Sequence, residues 1–190
     1  MNQPSTLYDQ AVPPRKVLCV CLGNICRSPT AEAVLQQQVA RAGLPIQIDS
    51  AGTSNYHPNK APDPRSQRHA ALRGIDLSGL RARQVVLSDF IEFDLILAMD
   101  RANLADLQRM QQQANQQAGQ QYPAQRVAQL ALMSQHDALW PQHDVPDPYY
   151  GEQADFERVL DQCDSAAQGW LRYWQALDQS RAQQHWEAAD

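Results

Sequence analysis

A chain of 190 residues, 43% of them hydrophobic, is long enough to bury a substantial single core without disulfides or a structural metal. A net charge of −5, with basic residues almost all arginine and scattered along the chain, argues against the basic stripe of a nucleic-acid-binding protein. The chain has no apolar run of bilayer length, and its start lacks the charged and apolar stretches of a secretory signal. The expectation is therefore a cytoplasmic protein with no membrane partner.

Residues 1–15 are polar, contain Pro13-Pro14 and show no periodicity, so they read as a flexible leader without chemistry. Strand-like segments from Val17 to Val20, Ile46 to Asp49, Leu95 to Ala98 and Val127 to Leu132 alternate with helical patterns beginning near Pro29, Arg65, Ser88, Arg101 and Gln153. This alternation predicts an α/β fold: a single domain over 16–176 with an open, mainly parallel four-stranded sheet and helices on both faces. Residues 177–190 are the helix end and tail.

The first helix carries Ala33, Val34, Leu35 and Val39 partly on one face and stops before Gly43, as a second helix stops at Gly74. Eight glutamines fall in the fourteen residues from Gln108 to Gln121. That insert, taken as about 108–125, reads as an extended helix and solvated loop, with a partner-binding insert as the alternative. The last helix sets Phe156, Val159, Leu160, Cys163, Ala167, Trp170, Leu171 and Trp174 at three- and four-residue spacing, a wide apolar stripe in which Cys163 is a core side chain.

Cys19, Cys21 and Cys26 crowd together while Cys163 lies far away, which is not the spacing of a secreted disulfide framework. The five histidines are scattered and none pairs with a cysteine at ligand spacing, so no metal or other cofactor is expected.

The chemistry concentrates at the end of the first strand. Cys21 and Arg27 bracket Leu22, Gly23, Asn24, Ile25 and Cys26, and the loop closes at Ser28-Pro29, with Pro29 suited to a first helical turn. Backbone N–H groups of such a loop, the positive end of the helix and the planar fork of Arg27 converge on one tetrahedral anion. The same field favours a thiolate at Cys21. Gly23 and Asn24 tolerate the unusual backbone angles the turn needs, and Asn24 and Ser28 organise the loop.

From Val20 to Pro29 the chain matches V-C-x-G-N-x-C-R-S-P, and it thereby resembles the low-molecular-weight protein tyrosine phosphatases. The resemblance continues at Asp49-Ser50-Ala51-Gly52-Thr53, Ala82-Arg83-Gln84, from Leu95 to Asp100, and from Asp147 to Gly151, covering about Lys16 to Trp174. It departs at Arg73, where several relatives have histidine before the glycine. It implies hydrolysis of protein phosphotyrosine through a phosphocysteine, with phosphotyrosine-containing proteins as partners.

On that resemblance Cys21 is the nucleophile, Arg27 binds the phosphoryl oxygens, and Asp147 is the general acid that protonates the leaving phenolate and later accepts a proton from water. On residues alone, Asp147-Pro148 is a turn initiator. Tyr56, Tyr149 and Tyr150 are expected to wall the crevice, Ser28 to donate to the departing sulfur, and Ser50, after the second strand, to complete that network. Asp100 either orients Arg27 or caps the following helix. Relatives pair the neighbour of the nucleophile with it in a protective disulfide, which makes Cys26 a redox partner of Cys21 or else a small buried side chain.

Three competing readings share the fold or the loop. An arsenate reductase requires further cysteines on a mobile helix, and this chain has only Cys163 beyond the loop. A protein-arginine phosphatase has threonine where this chain has Ile25. An inactive phosphotyrosine-binding module requires loss of Cys21, Arg27 or Asp147, and all three are present. Oligomeric state is not legible in the sequence.

Overall fold

In the computed structural model, residues 12–121 and 127–187 are described, with side chains over 12–116 and 127–180. β1 (Lys16–Cys21) pairs in parallel with β2 (Gln47–Gly52) on one side and β3 (Leu95–Ala98) on the other, and β4 (Gln129–Leu132) joins β3. The order β2-β1-β3-β4 makes an open sheet whose four strands are all parallel. Strand order reverses between β1 and β3, and ligands of such sheets bind at that switch point, beyond the carboxyl ends of the strands.

Alternation along β1 and β3 builds two cores. Val17, Cys19, Cys21, Leu95 and Leu97 face α1 (Arg27–Arg41) and α5 (Gln153–Glu187). Leu18, Val20, Ile96 and Ala98 face the other way, with Phe90 of α3 (Asp89–Glu92) and Leu107 and Ala114 of α4 (Arg101–Gln121). Both faces of the central strands are thus dry, which explains why they read as unbroken apolar runs. α2 (Pro64–Leu72) starts from Asp63, whose carboxylate accepts the Arg65 N–H, and packs on α5 through Ala70.

Several boundaries move. α1 begins at Arg27, two residues before the expected start, because the loop itself winds into the first turn. β2 continues to Gly52, where Gly52 pairs with Cys21, so Ser50 lies inside the strand and not after it. β4 starts at Gln129, since Ala128 instead donates its N–H to Phe90 O. Within the expected leader, residues 1–11 lie outside the described residues, whereas Pro14 is buried and Arg15 bridges two strands. The Arg15 N–H donates to Asp94 at 2.7 Å and its carbonyl accepts from Gln47 N–H at 2.8 Å. The glutamine tract extends α4 as far as Gln121, and residues 122–125 of the insert lie outside the described residues. α5 crosses position 176 unbroken.

Candidate active site

β1 delivers Cys21 to the carboxyl edge of the sheet, and the chain turns at once into α1. The turn requires Asn24 in the left-handed region, φ 55°, which a short amide side chain tolerates when its own hydrogen bonds hold it. Those bonds are present. Asn24 Nδ2 donates to Ser28 Oγ and to Ser50 Oγ, each at 2.9 Å, and Asn24 Oδ1 accepts the Arg83 N–H at 2.9 Å. Cys21 Sγ lies 3.0 Å from Ser28 Oγ and accepts the Asn24 N–H at 3.2 Å.

No side chain caps the start of α1, and its first turn has no acidic residue. Among the described residues, the backbone N–H groups of Gly23, Ile25, Cys26, Arg27 and Ser28 have no protein acceptor. Donors at a helix N-terminus beside a nucleophile make an anion cradle.

Arg27 completes it from a site that leaves only 3% of the residue exposed. Its Nη1 donates to Asp100 Oδ2 at 2.5 Å and to Val145 O at 3.2 Å, and its Nη2 donates to Asp147 Oδ2 at 2.7 Å. Burial alone would lower its pKa, but Cys21, Asp147 and Asp100 together raise it, so the guanidinium stays charged. Asp100 bonds on two sides at once: one oxygen accepts from Arg27 and the other accepts the Asn103 N–H at 2.7 Å at the start of α4. The turn reading of Asp147 also holds, with Oδ1 accepting the Tyr149 N–H at 3.1 Å.

Above the cradle is a crevice of about 290 Å³ with Cys21, Arg27 and Asp147 in its lining. Leu22, Gly23, Ile25 and Cys26 also line it, as do Tyr56, Tyr149 and Tyr150. Tyr150 is 97% exposed and Tyr56 72%, apolar surface left open at the mouth. Asn24, Ser28, Ser50 and Asp100 are not in that lining; they sit behind the loop and act on it. Cys26 is buried and lines the same crevice as Cys21, and burial pushes its thiol up to about 12. Cys163 is fully buried in the core and is pushed up to about 12 by the same cause.

Sequence reasoning missed two residues. His57 lines the crevice 6.2 Å from the Tyr149 ring, its only signal being adjacency to Tyr56. Glu32, on α1, accepts the Ser50 hydroxyl at 2.6 Å, and a glutamate within a helical pattern gives no sign of being 5% exposed. The Arg73 departure has a local explanation: its guanidinium pairs with Glu157 and with Asp161 of α5, holding α2 to that helix.

The low molecular weight phosphotyrosine protein phosphatase family matches residues 16–183, nearly the whole chain. The chain belongs to this family. The human low molecular weight phosphotyrosine protein phosphatase is 41% identical over 153 residues, spanning 78% of this chain and 89% of that relative. A protein tyrosine phosphatase of Entamoeba histolytica, solved with Hepes in its active site, is similar at TM-score 0.70 and 36% identity, covering 81% of this chain and 92% of that one. The Drosophila arginine phosphatase is similar at TM-score 0.73 and 27% identity over 84% of this chain and 97% of that one. Within this phosphatase family, phosphoprotein substrates fit a crevice with one anion cradle at its base and aromatic walls above.

Proposed function

We propose that the protein hydrolyses protein phosphotyrosine through a phosphocysteine on Cys21, without a metal. The observation that carries this reading is the convergence of a cysteine sulfur, unsatisfied loop N–H groups and a buried guanidinium at one point. In the first step the Cys21 sulfur attacks phosphorus in line. Loop N–H groups and Arg27 hold the equatorial oxygens, where charge is spread in the transition state. Arg27 keeps its Nε–H and a second Nη2 hydrogen for a phosphoryl oxygen, so it can hold the phosphate while its bond to Asp147 keeps that carboxyl beside the site.

Asp147, protonated, gives its proton to the departing tyrosine oxygen; as carboxylate it then accepts a proton from the water that attacks the phosphocysteine. Ser28 Oγ–H supports the sulfur as it leaves in this second step. Tyr56, Tyr149 and Tyr150 take the substrate ring between flat faces. Cys26 stands as resolving thiol for an oxidised Cys21. The reading carries no nucleic-acid or membrane partner and a cytoplasmic setting; among the described residues no helix is long and apolar enough to cross a membrane.

Ile25 lines the crevice where an arginine phosphatase has threonine, favouring an aryl ring over a guanidinium. The test is turnover of a phosphotyrosyl peptide and of a phosphoarginyl peptide in the presence of a chelator. Hydrolysis of the first, with much slower hydrolysis of the second, is expected. Loss of phosphotyrosine turnover under chelation, or preference for phosphoarginine, overturns the reading.

A further inference from the structure

We propose that Glu32 is a positioning residue for the breakdown of the phosphoenzyme, acting on Cys21 through a buried chain of hydrogen bonds running Glu32, Ser50, Asn24, Ser28, Cys21. This inference rests on the phosphocysteine reading above and assigns a role to a residue outside the crevice.

The hydrogens of the chain are assigned by its chemistry. Asn24 Nδ2 is donor only and spends its two hydrogens on Ser28 Oγ and Ser50 Oγ, an orientation fixed by Oδ1 accepting the Arg83 N–H. Ser50 Oγ, accepting from Asn24, has one hydrogen left, and Glu32 Oε2 takes it at 2.6 Å, the length of a hydroxyl bond to a carboxylate. Ser28 Oγ likewise accepts from Asn24 and keeps one hydrogen for Cys21 Sγ at 3.0 Å or Ala51 O at 3.2 Å. A negative sulfur wins that choice. Each bond polarises the next, so an anionic Glu32 makes Ser50 a better acceptor and holds Asn24, strained at φ 55°, in the orientation that serves Ser28.

The second carboxylate oxygen of Glu32 accepts from Gln36 Nε2 at 3.0 Å. Facing Glu32 are Asp49 of β2, Arg83 from the segment after α2, and the Cys19 thiol of β1. Burial raises the Glu32 carboxyl to about 7, Asp49 adds to that rise, and the bonds from Ser50 and Gln36 and the charge of Arg83 oppose it. The terminal acceptor therefore changes charge near neutral pH. Protonated, Glu32 no longer demands the Ser50 hydrogen, and the hold on Asn24 loosens.

The experiment compares wild type, Glu32→Gln and Glu32→Ala by rapid-mixing kinetics on an aryl phosphate from pH 5 to 8.5, reading the phenol burst and the slower steady rate separately. Glutamine still accepts from Ser50 but cannot titrate; alanine leaves Ser50 without its acceptor. In the wild type the steady rate should rise through about pH 7 with the ionisation of Glu32. That inflection should vanish in Glu32→Gln. Glu32→Ala should slow breakdown roughly tenfold, the scale of one hydrogen bond to a charged group, with the burst changed much less and partial recovery in Glu32→Gln. Thermal melts establish that each variant is folded, and Glu32→Gln, the near-isosteric change, decides the case if Glu32→Ala is not. A wild-type inflection retained in Glu32→Gln, or both phases slowed equally, overturns the proposal. Absence of a burst in wild type on any fast-leaving ester would instead overturn the phosphocysteine route beneath it.

Discussion

Asp147→Asn removes a transferable proton and leaves the turn intact. Asparagine can still accept the Tyr149 N–H that Asp147 Oδ1 now accepts at 3.1 Å, and can still accept from Arg27. The Arg27 bond at 2.7 Å reaches a carboxylate whose side chain is 43% exposed, so solvent screens it and the pair contributes about 0–1 kcal/mol. Phosphate can take the Nε–H and second Nη2 hydrogen that Arg27 leaves free, but it then brings its negative charge against that carboxylate. Removing the carboxylate charge should therefore leave inorganic phosphate binding equal or tighter, by no more than about fivefold. The proton itself is worth more: a positioned acid contributes roughly 10²–10⁴-fold, or about 2.7–5.4 kcal/mol of barrier. The assay is single-turnover phenol release across aryl phosphates of graded leaving-group acidity. Loss should be steep for phosphotyrosine and shrink toward the most acidic phenols, which leave unprotonated, so the leaving-group slope steepens. An equal fractional loss across the series, or phosphate inhibition weakened beyond fivefold, would refute the reasoning and leave Asp147 a turn residue.

Mild peroxide should join Cys21 to Cys26 in an intramolecular disulfide reversed by a dithiol. Burial pushes the Cys26 thiol up to about 12, which leaves Cys21 to oxidise first and Cys26 to resolve it. Peptide mass and recovered activity should show Cys26→Ala losing more enzyme to irreversible acids, and equal recovery would make Cys26 a packing residue. Arg27→Lys should abolish both turnover and phosphate affinity, because one ammonium cannot serve Asp100, Asp147 and a phosphoryl group together; retained affinity by calorimetry would contradict this. Glu32→Gln should gain stability over wild type as pH rises. The folded carboxyl titrates near 7 and the unfolded one near 4.5, so the cost of its charge is absent below 4.5, grows between those values and is complete above 7. It reaches about 3 kcal/mol at most, several degrees in Tm. A Tm difference independent of pH from 4.5 to 8 would count against it.

The sheet was legible because its central strands are buried on both faces and its helices carry an apolar stripe. Leu95–Ala98 has the expected bounds, since Asp94 and Met99-Asp100 bracket it sharply. Ends set by backbone pairing were not legible. β2 runs three residues further than its apolar pattern because Gly52 pairs with Cys21, and that register is invisible in either strand alone. At the site, Cys21, Arg27 and the loop between them could be proposed together because they are adjacent in sequence, and they line one crevice. Asp147 needed the resemblance, because an Asp-Pro step alone reads as a turn, and it serves as one. Glu32 and His57 escaped because burial of a carboxylate and the facing of a ring are tertiary facts, made by β2 in one case and by the Tyr149 loop in the other.

The central claim is that phosphate passes through the sulfur of Cys21. Enzyme mixed with an excess of phosphotyrosyl substrate and quenched in denaturant within the burst phase should give, by phosphorus NMR, a resonance of a phosphorus–sulfur bond approaching one per active site. Peptide mapping should place it on Cys21, and Cys21→Ser should bind substrate yet show neither the resonance nor turnover. Release of tyrosine in the burst without any phosphorus–sulfur species, or substantial turnover by Cys21→Ser, would contradict the account.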